Sequence, residues 1–259
     1  MSTKKEKLEA FGRLLDIMDE LREKCPWDRV QTMESLRNLT IEETYELADA
    51  IMDKNMEDIR KELGDLILHI VFYAKIGSEK EEFDITDVLN SVCKKLIFRH
   101  PHVFGDRQVK DAGEVIKNWE EIKISEGNKS VLGGVPVSLP AMIKAHRIQD
   151  KVRAVGFDWE NRDDVWNKVH EEIEEVKQEI VNGKNDRLES EFGDLFFSMI
   201  NAARLYNIEP ESALEKTNKK FIRRFNYLEE KTRDSGRKLK EMNIDDMEVI
   251  WNEAKSKER

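Results

Sequence analysis

Apolar residues recur every three to four positions along most of the chain, with charged residues between them. Leu8, Phe11, Leu14, Leu15, Met18 and Leu21 form the first such stripe and predict a helix over 4–24. Cys25-Pro26-Trp27-Asp28 ends it, because the proline ring biases the preceding residue away from helix. Asp28 or Thr32 can cap the next helix. The same spacing predicts helices over 34–53, 56–76 and 84–99, the last with Ile85, Val88, Leu89, Val92 and Leu96 facing inward. A shorter helix carrying Trp119 is expected over 111–124. Residues 125–140, SEGNKSVLGGVPVSLP, are the richest in Gly, Ser and Pro and read as a linker. Beyond it come a helix over 141–153, a break at Gly156-Phe157-Asp158-Trp159, two charged helices, a long helix over about 209–233 and a last one over 245–255. No segment shows sustained strand alternation, so the predicted fold class is all-α.

The two charged helices after the break carry acids in a particular arrangement. Lys168 to Leu195 reads KVHEEIEEVKQEIVNGKNDRLESEFGDL. Glu172 with Glu175, and Glu191 with Asp194, are each spaced three apart, which sets both carboxylates of a pair on one helix face. Val169, Ile173, Val176 and Ile180, then Leu188, Phe192, Leu195 and Phe196, supply an apolar seam. Gly183 to Asp186 has turn composition, with Asp186 as the expected cap of the second helix. Folding back across that turn brings four carboxylates together beside apolar surface, which is unfavourable without cations.

The arrangement occurs twice. Glu43, Glu46, Glu62 and Asp65 repeat it, each 129 positions before its counterpart, and Gly64-Asp65 matches Gly193-Asp194. One acidic pair in a chain that is 38% charged is an ordinary solvated face. Four acids recurring at one offset indicate duplicated helical modules, with a period too long for a solenoid. The expected organisation is a first module over 1–125, a linker over 126–140 and a second module over 141–259. Further along, Lys219-Lys220-Phe221-Ile222-Arg223-Arg224-Phe225 echoes the end of the 84–99 helix, and Trp251 stands where Trp119 stood.

Composition narrows the function classes. At 259 residues each half is long enough to bury a core. A net charge of −10 argues against a direct nucleic-acid binder, which shows a basic face. Two cysteines give no disulfide framework, the first residues lack the apolar core of a signal peptide and no run approaches a membrane span. A cytoplasmic protein is expected. Cys25 reads as a packed side chain and His69 as a packed or hydrogen-bonded one, and the broken spacing of His100 and His102 around Pro101 argues against a metal site there.

None of the five histidines has a glutamate three residues before it, so the ligands of a ferritin-like di-iron site are missing. P-loop, dinucleotide and HExxH motifs are also missing. All-carboxylate ligation suits hard ions, Mg²⁺ first and Mn²⁺ second, and these commonly serve phosphate chemistry. Lys220, Arg223 and Arg224, on a helix predicted to pack beside the acids, suit phosphate oxygens, as do Lys168 and Arg187 one turn before each acidic pair. Trp251 reads as core or as a stacking surface.

Taken together, the paired EExxE and ExxD elements, CPWD, SVLGGVPVSLP, VGFDW and KFIRRF resemble the MazG family over essentially the whole chain. These are tandem-domain nucleoside triphosphate pyrophosphohydrolases of the all-α NTP pyrophosphatase superfamily. The resemblance implies two four-helix modules, a homodimer, a Mg²⁺ requirement, and hydrolysis of NTPs and dNTPs to the monophosphate and pyrophosphate. It implies Glu172, Glu175, Glu191 and Asp194 as metal ligands, with Glu172 or Glu175 acting on the attacking water. It places Lys168, Glu171, Arg187, Ser190, Lys220, Arg223 and Arg224 along the triphosphate, with Trp251 near the base. Glu43, Glu46, Glu62 and Asp65 remain a possible second metal site. The second module is expected to be the competent one, because Arg99-His100-Pro101 stands where it has Arg224-Phe225 and continuing helix. The alternative from another class is a nucleotide-sensing or protein-interaction scaffold without turnover.

Overall fold

The structure is a computed structural model and describes residues 1–111, 113–115, 118–119, 122, 130–159, 161–183 and 185–258. Among them every regular element is helical. The chain divides into two compact units, Met1–Val109 and Lys110–Arg259. Half of the helix expected over 111–124, and residues 126–129 of the expected linker, lie outside the described residues.

In the first unit, α1 (Lys4–Lys24) starts with a capping box in which Thr3 and Glu6 satisfy each other's backbone amides. Cys25 then turns the chain into a single helical turn, α2 (Pro26–Arg29), so the CPWD break is a short helix with Pro26 at its first position, where its missing N–H costs nothing. Thr32, not Asp28, caps α3 (Met33–Met52); Asp28 is buried instead. Asn55 caps α4 (Met56–Glu79) and Asp84 caps α5 (Ile85–Arg99), after which Pro101 opens the short α6 (Pro101–Phe104). Helices α3 and α4 pack along their length, and α1 lies across α4. Their core is Met18, Leu36, Val71, Phe72 and Ile76, with Leu39, Leu68 and Tyr73 packed around it. Each such side chain contributes about 1.5–3 kcal/mol on burial.

The second unit repeats the plan with α7 (Ala141–Ala154), α8 (Arg162–Asn182), α9 (Asn185–Leu205), α10 (Pro210–Asp234) and α11 (Ile244–Lys257). Helices α8 and α9 form the counterpart of α3 and α4, and α10 packs on α11 and α7. Gly183 caps α8 in the left-handed conformation, at φ 68°. Its counterpart 129 positions earlier, Lys54, adopts φ 56°, so the turn geometry is kept without the glycine. Asp186 is not a cap, since α9 begins at Asn185 and Asp186 lies in its first turn, where its charge still favours the helix dipole. Residues 130–140 are tied to this unit by Lys151, which donates to the Val131 carbonyl at 3.2 Å, and by Lys144, which donates to that of Val137 at 2.5 Å. Among the described residues a core cluster forms here from Val165, Val169 and Ala202, with Ile173, Leu195 and Leu205 around them. Among the described residues no helix is long and apolar enough to cross a membrane.

Candidate metal and phosphate site

Helical spacing and the tight α8–α9 turn bring the second acidic set together as the repeat predicts. One carboxylate oxygen from each of Glu172, Glu175 and Glu191 lies within 4.8 Å of the others. Asp194 stands outside that trio and is exposed, but it lines a cavity of about 240 Å³ together with Glu172 and Lys168. The first unit assembles the matching trio, Glu43, Glu46 and Glu62, with Asp65 again outside it. Among the described residues these two are the groups able to hold a metal ion. His100 and His102 belong to neither; their rings sit 5.6 Å apart, and His100 Nδ1 lies 2.6 Å from the Leu96 carbonyl.

Burial makes the second trio electrostatically demanding. Glu172 is only 4% exposed, and its Oε2 is buried with no hydrogen-bond partner. Desolvation, and then the Glu172 charge, push the Glu175 carboxyl up from its usual range. Lys168 supplies the counter-charge, with Nζ 2.8 Å from Glu172 and 2.9 Å from Glu171. Hydrogen bonds to those two glutamates push the Lys168 ammonium well above its usual value. An all-oxygen donor set with one orphaned, buried carboxylate oxygen fits a hard divalent cation.

The first trio differs in its surroundings. Position 39, matching Lys168, is Leu39, packed against the core. The cation comes instead from Lys61, which stands where the second unit has Ser190 and pairs with Glu62 at 2.9 Å. Burial, followed by the charges of Asp65, Glu46 and Glu62, raises the Glu43 carboxyl. Behind this trio, Thr40 Oγ1 lies 2.7 Å from both His69 Nδ1 and the Tyr73 hydroxyl, so His69 is the hydrogen-bonded residue its apolar neighbours suggest.

The basic residues expected along the triphosphate separate into two groups. Arg187 and Ser190 are exposed on α9, Arg187 one turn before Glu191. Lys220, Arg223 and Arg224 lie on α10 in a cluster of their own. Arg224 Nε donates to Glu258 at 2.9 Å, its guanidinium sits 5.9 Å from the Trp251 ring centre, and the Phe221 ring centre lies 5.0 Å from that of Trp251. Among the described residues no hydrogen bond or ion pair joins this cluster to the acids.

Beside the acidic cavity lies a second one of about 340 Å³, lined by Gln149, Gly156, Phe157, Asp158, Trp159, Phe197, Asn201 and Arg204. The two share Trp159, Phe197 and Asn201. Buried Arg204 donates to Asp158 Oδ2 at 3.1 Å and to Asn201 Oδ1 at 2.7 Å. Sequence reasoning marked Phe157-Asp158-Trp159 as a helix break and as part of the VGFDW family motif, without a role in the site, and passed over Gln149, Asn201 and Arg204. The available signal was the repeat itself. At the offset of 129, Asn201 corresponds to Phe72 and Ala202 to Tyr73, so polar or small residues stand where the first unit packs bulky ones. In the first unit Phe72, at 3% exposure, fills the space.

Comparison with known proteins gives the arrangement its family. The MazG nucleotide pyrophosphohydrolase domain matches residues 31–104 and again 162–228. The nucleoside triphosphate pyrophosphohydrolase/pyrophosphatase MazG of Thermotoga maritima is 44% identical over 95% of this chain and 95% of its own length. The nucleoside triphosphate pyrophosphohydrolase of Escherichia coli K12 is 41% identical over 96% of this chain and 98% of its own. A crystal structure of a mazG-related protein from Thermotoga maritima aligns at a TM-score of 0.39 and 27% identity, over 44% of this chain and 98% of that one. With both copies of the domain matched and relatives aligned nearly end to end, the chain belongs to the MazG nucleotide pyrophosphohydrolase family, with two of its domains in tandem.

Proposed function

We propose that this protein is a Mg²⁺-dependent nucleoside triphosphate pyrophosphohydrolase, with Mn²⁺ as a competent substitute, and that its working site is in the second module. The observation carrying this is the Glu172–Glu175–Glu191 trio, whose Glu172 lines one cavity with Lys168 and Asp194, where the first module has Leu39 and Phe72 in its core. Substrates are NTPs and dNTPs, as the names of the T. maritima and E. coli relatives support for the triphosphate class. Module boundaries near 1–125 and 141–259 follow the same reading.

Glu172, Glu175, Glu191 and Asp194 hold the cation. When bound, it neutralises their charge, polarises phosphate oxygens and lowers the pKa of water. The chain's own groups do the remaining work. Lys168 exchanges part of its pairing with Glu171 and Glu172 for a phosphate oxygen. Arg187 and Ser190, with Lys220, Arg223 and Arg224, bind the rest of the triphosphate, and Trp251 borders the nucleoside. Water attacks the α-phosphorus, the bond from the α-phosphorus to the bridging oxygen breaks, and pyrophosphate leaves. Glu172 or Glu175 takes the proton of the attacking water; burial already raises the proton affinity of Glu175.

The working form is a homodimer. Supporting this, Phe192, Phe196 and Met199 form an exposed stripe on α9, and Leu63, Ile67 and Ile70 form the same stripe at the same offset on α4. The unbridged Cys25 and Cys93 suit the cytoplasm. Hydrolysis in ¹⁸O-labelled water tests the reaction directly. Label in the monophosphate is expected, whereas label in pyrophosphate or orthophosphate would place the attack on another phosphorus.

A further inference from the structure

Helix α11 packs on α10, and Glu258 stands at its C-terminal cap. From there its carboxylate reaches two of the basic residues on α10. Its Oε2 accepts from Arg224 Nε at 2.9 Å and also from Arg224 Nη2, while Oε1 accepts from Arg223 Nη2 at 3.4 Å. The two arginines are not held alike. The side chains of Arg224 and Glu258 are 15% and 28% exposed, against 63% for Arg223, so solvent screens the Arg224 pair less. The hydrogen bond from Arg224 is also the chief reason why the Glu258 carboxyl lies below its usual range, which keeps it ionised. A guanidinium carries five N–H donors in a rigid plane. Glu258 takes two of them, on the Nε–Nη2 edge, and three are left for a phosphate. The residues of this pairing also belong to the repeat. Trp251 and Glu258 have Trp119 and Glu126 as counterparts 132 positions earlier, and Arg224 has Arg99 at the offset of 125.

From this arrangement we infer that Glu258 is a positioning residue for the hydrolysis: by holding one edge of Arg224 it sets the guanidinium beside Trp251, with its remaining donors ready for the triphosphate. The inference rests on the pyrophosphohydrolase reading, which puts Lys220, Arg223 and Arg224 on the triphosphate. Glu258 itself touches neither substrate nor metal. An arginine whose plane is already fixed binds without first losing the freedom of a long side chain, so the benefit falls on binding and not on bond cleavage. The carboxylate's own charge opposes a polyanion. The sign of its effect on KM therefore separates ordering of the arginine from repulsion of the substrate.

The test is ATP hydrolysis by the full-length protein with Mg²⁺, resolved into KM and kcat, together with inhibition by inorganic tripolyphosphate. Glu258→Ala should raise KM and the tripolyphosphate Ki about fivefold, the upper range for a pair that is not fully buried, and leave kcat within about twofold. Glu258→Gln keeps an acceptor for Arg224 and should recover part of the loss. In an Arg224→Ala background Glu258→Ala should add nothing, because its effect passes through that arginine. An unchanged KM in Glu258→Ala, or the same rise with Arg224 absent, would overturn the inference and leave Glu258 a surface partner only. A lower KM would also overturn it, making Glu258 a competitor for the arginine. If Arg224→Ala itself changes neither KM nor Ki, the placement of α10 on the triphosphate falls and this inference with it. Absence of pyrophosphate release by the parent would sink the pyrophosphohydrolase reading as a whole.

Discussion

Lys168 and Glu172 stand one turn apart on α8, and the lysine is the cation that the fold places against the second acidic trio. Its ammonium is held charged by two carboxylates, so it is available to a phosphate oxygen at any physiological pH. A charge-assisted bond of this kind is worth about 1.5–3 kcal/mol, so Lys168→Met should lower kcat/KM by roughly ten- to a hundredfold in steady-state kinetics. A loss under threefold would remove Lys168 from the phosphate path. In the first unit, His69 ties stability to pH. Burial lowers its pKa from the ordinary value, with the Asp65 charge acting in the opposite direction. The unfolded chain therefore binds a proton that the folded unit resists, and the stability this group contributes is present above about pH 6.5 and lost as pH falls below it. Denaturant midpoints measured between pH 5 and 8 should show a steeper acid decline in the parent than in His69→Gln. Identical pH profiles would mean that His69 is not the titrating group. The acids themselves were legible in the sequence because i, i+3 spacing and an exact repeat are one-dimensional signals. Gln149 was not, because only its packing against the Phe197 carbonyl shows that one end of its amide lacks a partner.

The paired helices α3–α4 and α8–α9 are one design with two fillings. Leu36 and Val165 occupy matched positions, and each is 1% exposed. From there the copies diverge: Leu39 against Lys168, Phe72 against Asn201, Tyr73 against Ala202. The large residues of the first copy complete a core, whereas the small and polar ones of the second leave a cavity beside its acids. Copying the first filling into the second unit, as Lys168→Leu with Asn201→Phe, should close that cavity. NTP hydrolysis should fall by at least about a hundredfold, since a site without room loses the orientation of its substrate as well as its contacts. Mn²⁺ binding by titration calorimetry should persist, because the trio is untouched. Loss of both properties would indicate disruption of the unit instead of a filled pocket. Helix positions were readable from periodicity to within a few residues. The short α2 and the start of α9 at Asn185 were not, since a single turn carries no period and Asp186 fits either a cap or a first turn.

At the scale of the whole chain, duplication supplies two acidic trios, while the two units differ in what surrounds them. Tandem organisation was readable because four acids recur at one offset. How the two copies differ was less accessible, because every acid is present in both and the difference lies at other positions of the repeat, Leu39 against Lys168 and Phe72 against Asn201. The expectation that favoured the second module rested on Arg99-His100-Pro101, whereas the fuller argument is the filling by Leu39 and Phe72. One measurement bears most directly on this division of labour. The full-length protein, Glu172→Gln/Glu175→Gln and Glu43→Gln/Glu46→Gln are incubated with Mg²⁺ and a panel of NTPs and dNTPs, and the products are resolved. The parent and the first-module variant should release monophosphate and pyrophosphate, and the second-module variant should lose at least about a hundredfold of that rate. Diphosphate and orthophosphate as products, or activity that follows Glu43 and Glu46 instead of Glu172 and Glu175, would contradict the account.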